Sequence, residues 1–234
     1  MQLLKKRGLL IFWLILLLDC YFIYSGEISY RIFTKPLLVP VLTFHIFLNA
    51  RQNYYHNTKT FVFLALIFAW IGDILLLNTG MTYFFFGMLA FACTHVLFSV
   101  IFYRIHRLEL AKCQEAFIAS LLVIFVYSML YRYVNAQSIS TRNFHSYRVP
   151  VIAFMVVLGM MSILAANLLS SSLRKLSAIN YFIPGVILFV LSDSVLLLQV
   201  FVFPEVDFLG IIVMLSYGYA LALICDGFSK ILKG

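Results

Sequence analysis

Charge is what this 234-residue chain has least of: 11% of its residues are Asp, Glu, Lys or Arg, under half the share of an ordinary soluble domain. With 64% hydrophobic residues and a mean hydropathy of +1.02, about 150 apolar side chains need shelter that a soluble fold of this length does not provide. A soluble globular enzyme and a disordered chain are excluded. Cysteine is scarce too. Cys20, Cys93, Cys113 and Cys225 lie far apart, without C-x-x-C or zinc-ligand spacing, so they read as reduced packing residues rather than a disulfide scaffold. The 11 glycines form neither a phosphate loop nor a dinucleotide fingerprint. Strict two-residue alternation is absent, which removes a β-barrel and leaves helices as the spanning element.

What the chain does have is uncharged runs long enough to cross a bilayer, about 20 residues each. Eight spans are expected at 8–25, 36–50, 60–78, 81–104, 114–133, 149–169, 181–202 and 207–226, the second short enough for a tilted or partly interfacial helix. The fold class is an all-α integral membrane bundle, a single transmembrane domain over residues 1–234. The basic start Lys5-Lys6-Arg7 precedes an apolar stretch without an A-x-A cleavage site, so this segment reads as a retained first span.

The net charge of +8 does not mark a nucleic-acid partner, because the basic residues are scattered among the connections. They fit membrane topology instead. With the N-terminus inside, Lys5, Lys6, Arg7, Arg51, Lys59, Arg104, Arg107, Lys112, Arg174, Lys175, Lys230 and Lys233 face the cytoplasm, twelve of the 17 Lys and Arg. Both termini are therefore expected in the cytoplasm, in a bacterial inner membrane or, in a eukaryote, the endoplasmic reticulum. Oligomeric state is left open.

Gly72-Asp73-Ile74-Leu75-Leu76-Leu77 in span three resembles Ser192-Asp193-Ser194-Val195-Leu196-Leu197 in span seven, four spans later. A 4+4 duplication would relate the halves in parallel and bring the two aspartates toward each other across a pseudo-twofold axis; chance matching of leucine-rich helices is the alternative.

Ionisable groups away from the interface cost at least a few kcal/mol and usually mark function. Glu27, Glu109, Glu115, Glu205, Asp207 and Asp226 fall in loops or at span ends, leaving Asp19, Asp73 and Asp193. Asp19, near the end of span one, is expected to snorkel toward water. His45 and His95 are the intramembrane histidines, and His45 reads as an interhelical donor. Lys35 opens span two at its outer end and extends its amine along the helix. Counting 1.5 Å per residue from the outer turns places Asp73, Asp193 and His95 near mid-depth or in the outer half, where the three would line one cavity. Tyr217, deep in the last span, needs a polar partner and is expected nearby.

Two nearby carboxylates in a low-dielectric interior resist joint ionisation and keep one proton between them, which sets a general acid beside a general base. The same pair suits proton relay or cation coordination in a transporter. A metal hydrolase built on Asp73, His95 and Asp193 lacks a supporting H-x-x-x-H or H-E-x-x-H pair. Ser192 has no G-x-S-x-G elbow and reads as a hydrogen-bonding neighbour of Asp193. No cofactor is indicated. Gly87 with Ala90 and Gly218 with Ala222 allow close helix contacts.

These residues together resemble the YhhN family, which includes the transmembrane lysoplasmalogenases. The match runs over most of the chain: Lys35-Pro36-Leu37; Gly72-Asp73 followed by leucines; Gly87, Phe91 and His95; Gly185, Phe189, Ser192 and Asp193; and Tyr217. The resemblance implies an eight-helix hydrolase that cleaves the vinyl ether of lysoplasmalogens to a fatty aldehyde and a glycerophospho-head group. It implies a lysophospholipid substrate drawn from membrane lipids, Asp73 and Asp193 as catalytic groups, and Lys35, His95, Ser192 and Tyr217 in support. Phe98 and Leu221 depart from the tyrosine and glutamine expected there, so polar groups that orient a head group are expected to be missing. The alternative expectation is a small transporter or lipid-binding protein using the same aspartates.

Overall fold

The computed structural model describes residues 2–49, 56–108, 114–137 and 144–231. Arg51, Tyr54, Tyr55, Glu109, Lys112, Cys113, Arg142 and Lys233 lie outside the described residues. Among the described residues there is no strand and there are eight long helices: α1 Gln2–Tyr24, α2 Arg31–Asn49, α3 His56–Leu75, α4 Met81–Ile105, α5 Gln114–Gln137, α6 Phe144–Asn167, α7 Ile183–Phe201 and α8 Asp207–Ile231. Among the described residues seven helices are long and apolar enough to cross a membrane, and Gly8–Tyr24 of α1 is a shorter apolar helix. The protein is thus a multi-pass, all-helical membrane bundle. One end of it, called here the Lys35 end, carries the α1–α2, α3–α4 and α7–α8 connections; the other is the Lys175 end.

Local sequence accounts for the boundaries. Gly26 (φ 75°) and Gly80 (φ 138°) supply backbone angles that L side chains rarely adopt, and they close the α1–α2 and α3–α4 turns. The second helix is not short: it starts at Arg31, before the expected boundary, and runs for 19 residues with Pro36 and Pro40 inside it. Pro40 has no N–H to give the Pro36 carbonyl, and the Trp70 Nε1–H of α3 donates to that carbonyl instead at 2.8 Å. Pro184 likewise withholds a bond from the turn before it, and a π-helical turn, Ala178–Phe182, precedes α7 there.

The packing follows the 4+4 pattern. α1 lies on α2 as α5 lies on α6, α3 on α4 as α7 on α8, α2 on α3 as α6 on α7, and α8 on α2 as α4 on α6. An arginine near the start of the second helix of each half reaches back to the first: Arg31 to Asp19, and Arg148 to Asn135. The symmetry is broken where α1 also packs on α8, while α5 stays at the edge, its outward face carrying exposed Phe117, Leu121, Ile124 and Phe125. The core is aromatic and aliphatic, with Phe98, Phe102, Phe182, Phe189 and Phe228 fully enclosed. Cys20, Cys93 and Cys225 are free thiols within it or at its edge.

Candidate functional site

Close helix approach sets the position of Asp73. A Cβ at Gly72 would stand 2.7 Å from the Phe91 ring, and one at Gly87 would stand 2.9 Å from Leu76, so α3 and α4 meet there only because both residues are glycine. Phe91 in turn packs edge-on against Tyr217 of α8, with ring centroids 5.6 Å apart. The Tyr217 hydroxyl donates to Asp73 Oδ2 at 2.8 Å. Both residues are buried.

Asp193 is held by another pair of helices. His95 Nε2 on α4 lies 3.2 Å from Asp193 Oδ2 on α7. Phe154 and Phe189 pack edge-on against the imidazole at 5.7 and 5.2 Å between centroids, fixing its plane. The side chain of Asp193 keeps 9% of its surface accessible, and its Oδ1 has no hydrogen-bond partner among the described residues. Ser192 does not bind Asp193; its hydroxyl donates to the Val213 carbonyl of α8 at 3.1 Å.

The two aspartates are near enough that Tyr217, which binds Asp73, also lies within electrostatic reach of Asp193. They form two stations separated by the Phe189 ring, which touches both His95 (5.2 Å) and Tyr217 (5.9 Å). The arrangement obeys the pseudo-twofold in another way. Helices α3 and α7 correspond, as do α4 and α8, so the aspartate of each half is bound by a donor from the other half.

Above Asp73 a cavity of about 310 Å³ opens at the Lys35 end. It exists because α3 is recessed: the helix ends two residues after Asp73, whereas Tyr217 lies ten residues into α8. At 1.5 Å per residue this offset is on the order of 12 Å, and the Leu76–Gly80 turn floors the space. Its polar lining comprises Arg31, Lys35, Asn78, Thr79, Gln199 and Asp207. Lys35 is 6% exposed and has neither a hydrogen-bond nor an ion-pair partner among the described residues. Asp73, Asp19 and Arg31 share its electrostatic environment. Burying an ammonium without a direct partner is costly, and a cavity wall is where an anion from outside offsets that cost.

Asp19 does not snorkel. It is fully buried, accepts from Arg31 Nη2 at 3.0 Å and from the Thr34 hydroxyl at 2.7 Å, and pins the first turn of α2. Arg31 and Thr34 were not marked by the sequence as site residues, since their partner is reached across a hairpin. His45 packs over Gly8 of α1, where a Cβ would stand 2.9 Å from its Nδ1. The two departures, Phe98 and Leu221, are fully buried one turn beyond His95 and Tyr217, toward the Lys175 end. They lie below the polar cavity, whose lining keeps Lys35, Gln199 and Asn78. As for metals, His95 and Asp193 are two adjacent donors, and no third His, Cys, Asp or Glu joins them among the described residues.

Fold and site thus define an all-α membrane protein with an intramembrane carboxylate centre beneath a polar cavity. The YhhN family profile matches residues 30–228, and the chain belongs to the YhhN family. No curated relative and no solved structure matches it.

Proposed function

We propose that the protein is a lysoplasmalogenase-like hydrolase, cleaving the vinyl ether of a lysophospholipid by aspartate acid–base catalysis. The observation that carries this reading is the stacking of features in depth: an unpartnered, buried Lys35 in a polar cavity, with Asp73 and Asp193 held separately beneath it. An amphiphile fits that order, with its phosphate on Lys35 and its ether at the carboxylates.

In the proposed reaction Asp193 is the acid, with Oδ1 the oxygen that carries the proton. It protonates the vinyl carbon remote from the ether oxygen, leaving an oxocarbenium-like centre at the other carbon. Asp73, oriented by Tyr217, takes a proton from the attacking water, and a hemiacetal forms. Asp73 then returns that proton to the glycerol oxygen as the carbon–oxygen bond breaks, and the hemiacetal hydroxyl proton passes to Asp193. The products are an aldehyde and a glycerophospho-head group, and both carboxyls return to their starting state.

The test is aldehyde release from lysoplasmenyl lipid by purified wild type, Asp73→Asn and Asp193→Asn. Each substitution is expected to lower turnover by at least about a hundredfold. Full turnover in both variants overturns the mechanism. Proton-coupled uptake into proteoliposomes without cleavage assigns the aspartates to transport instead.

A further inference from the structure

A second cavity, of about 460 Å³, runs between α5, α6 and α7 toward the Lys175 end. Its α5 wall is one stripe at helical spacing, from Glu115 through Ala119 and Leu122 to Tyr127. Twelve residues of rise make it about 18 Å long, close to the roughly 15 Å of half a hydrocarbon core. The walls between its two ends are apolar apart from Ser162, whose hydroxyl is committed to the Leu158 carbonyl.

The end nearer the aspartates is different. Tyr127 is 8% exposed, and its hydroxyl has no partner among the described residues. On α7 the lining stripe Ile183, Val186, Ile187 and Val190 continues at the same spacing to Ser194, another buried hydroxyl without a partner among the described residues, beside Asp193. The third unsatisfied atom on this side is His95 Nδ1. Asp193 lies within electrostatic reach of Tyr127. An apolar slot with buried hydroxyls left open at its Asp193 end, and a carboxyl at its far mouth, matches a single hydrocarbon chain bearing an oxygen at its head.

We infer that this groove holds the hydrocarbon chain of the substrate and that Tyr127 is a positioning residue, donating to the oxygen at the chain's head. The inference rests on the lysoplasmalogenase reading. Asp193 lies eight residues before the end of α7, about 12 Å down from the Lys35 end. The glycerophospho-head then occupies the half of the bundle above the carboxylates and the chain the half below. Glu115, at the far end, sets the chain length the groove accepts.

Ala119 sits eight residues from Tyr127 along α5, so Ala119→Phe plugs the groove at about 12 Å of its length. Aldehyde release is measured with short-chain and long-chain lysoplasmenyl lipids. The variant is expected to lose at least about tenfold in kcat/KM for the long chain and to keep the short-chain rate. Tyr127→Phe, which preserves shape, is expected to lower kcat/KM equally for both lengths. An unchanged length profile in Ala119→Phe overturns the groove assignment. Absence of cleavage by wild type overturns the catalytic reading instead. The groove is then tested by a lysolipid with a photoreactive group at its chain end: labelling of the α5 and α7 stripes in wild type supports the inference, and labelling confined to other helices overturns it. The wild-type labelling also decides the matter if Ala119→Phe does not fold.

Discussion

Replacing Tyr217 with phenylalanine removes a single oxygen, and the surroundings say what that oxygen does. Phe91 and Phe189 pack on the ring at 5.6 and 5.9 Å and keep doing so after the change, so the aromatic contacts survive. What is lost is the 2.8 Å hydrogen bond to Asp73, the only one this carboxyl makes among the described residues. A hydrogen bond to a charged group contributes about 1.5–3 kcal/mol, and Asp73, 1% exposed, has little water to replace it. At 1.36 kcal/mol per decade the loss amounts to roughly a ten- to hundredfold fall in turnover if the bond orients the base in the transition state. The assay is aldehyde release in detergent or nanodiscs, with a monodisperse elution profile as the control for folding. A double variant with Asp73→Asn separates the explanations: if Tyr217 acts through Asp73, the pair is no slower than Asp73→Asn alone. Unaltered turnover in Tyr217→Phe, or losses that multiply in the double variant, refute the reasoning.

Lys35→Met keeps the length and apolar stem while removing the charge; it is expected to raise KM for a phosphate-bearing lysolipid by roughly ten- to a hundredfold with a smaller change in kcat, read from initial rates. Arg31→Met leaves Asp19 buried with Thr34 as its one remaining partner among the described residues, which is expected to destabilise by about 3 kcal/mol, the low end for breaking a buried pair, because Arg31 keeps some contact with solvent. A thermal-shift series with Asp19→Leu and the double variant checks this: the double variant recovers most of the loss if the pair is structural. Gly72→Ala drives a methyl group into the Phe91 ring and thence against Tyr217, so it is expected to cut turnover more than it lowers thermal stability; equal turnover to wild type contradicts the positioning chain from Gly72 to Asp73.

The span pattern was legible because hydropathy is a local property, written in chain order against the solvent. Eight apolar runs became eight long helices, and the second was misjudged in length because its first turn, Arg31 to Lys35, is held by partners on α1 rather than by its own apolarity. The short list of intramembrane polar groups was legible for the same reason: each one stands out against a lipid-like background. Asp19 shows where that logic stops. Depth along a helix says nothing about which neighbour lies across the hairpin, and a group expected to reach for water found an arginine instead.

The sequence by itself determined that this is a helical membrane protein and that Asp73, Asp193, His95, Lys35 and Tyr217 carry its unusual polarity; whether the halves repeat it left open, and the helix pairing follows that pattern. Only the tertiary structure decided who meets whom. Each residue turns a helix face by about 100°, so a partner depends on rotation and on which helices are neighbours, neither of which is encoded in spacing. Those two facts set Tyr217 on Asp73 and His95 on Asp193, recess α3 beneath a cavity walled by Lys35, and leave the Tyr127 hydroxyl without a partner among the described residues at the head of an apolar groove.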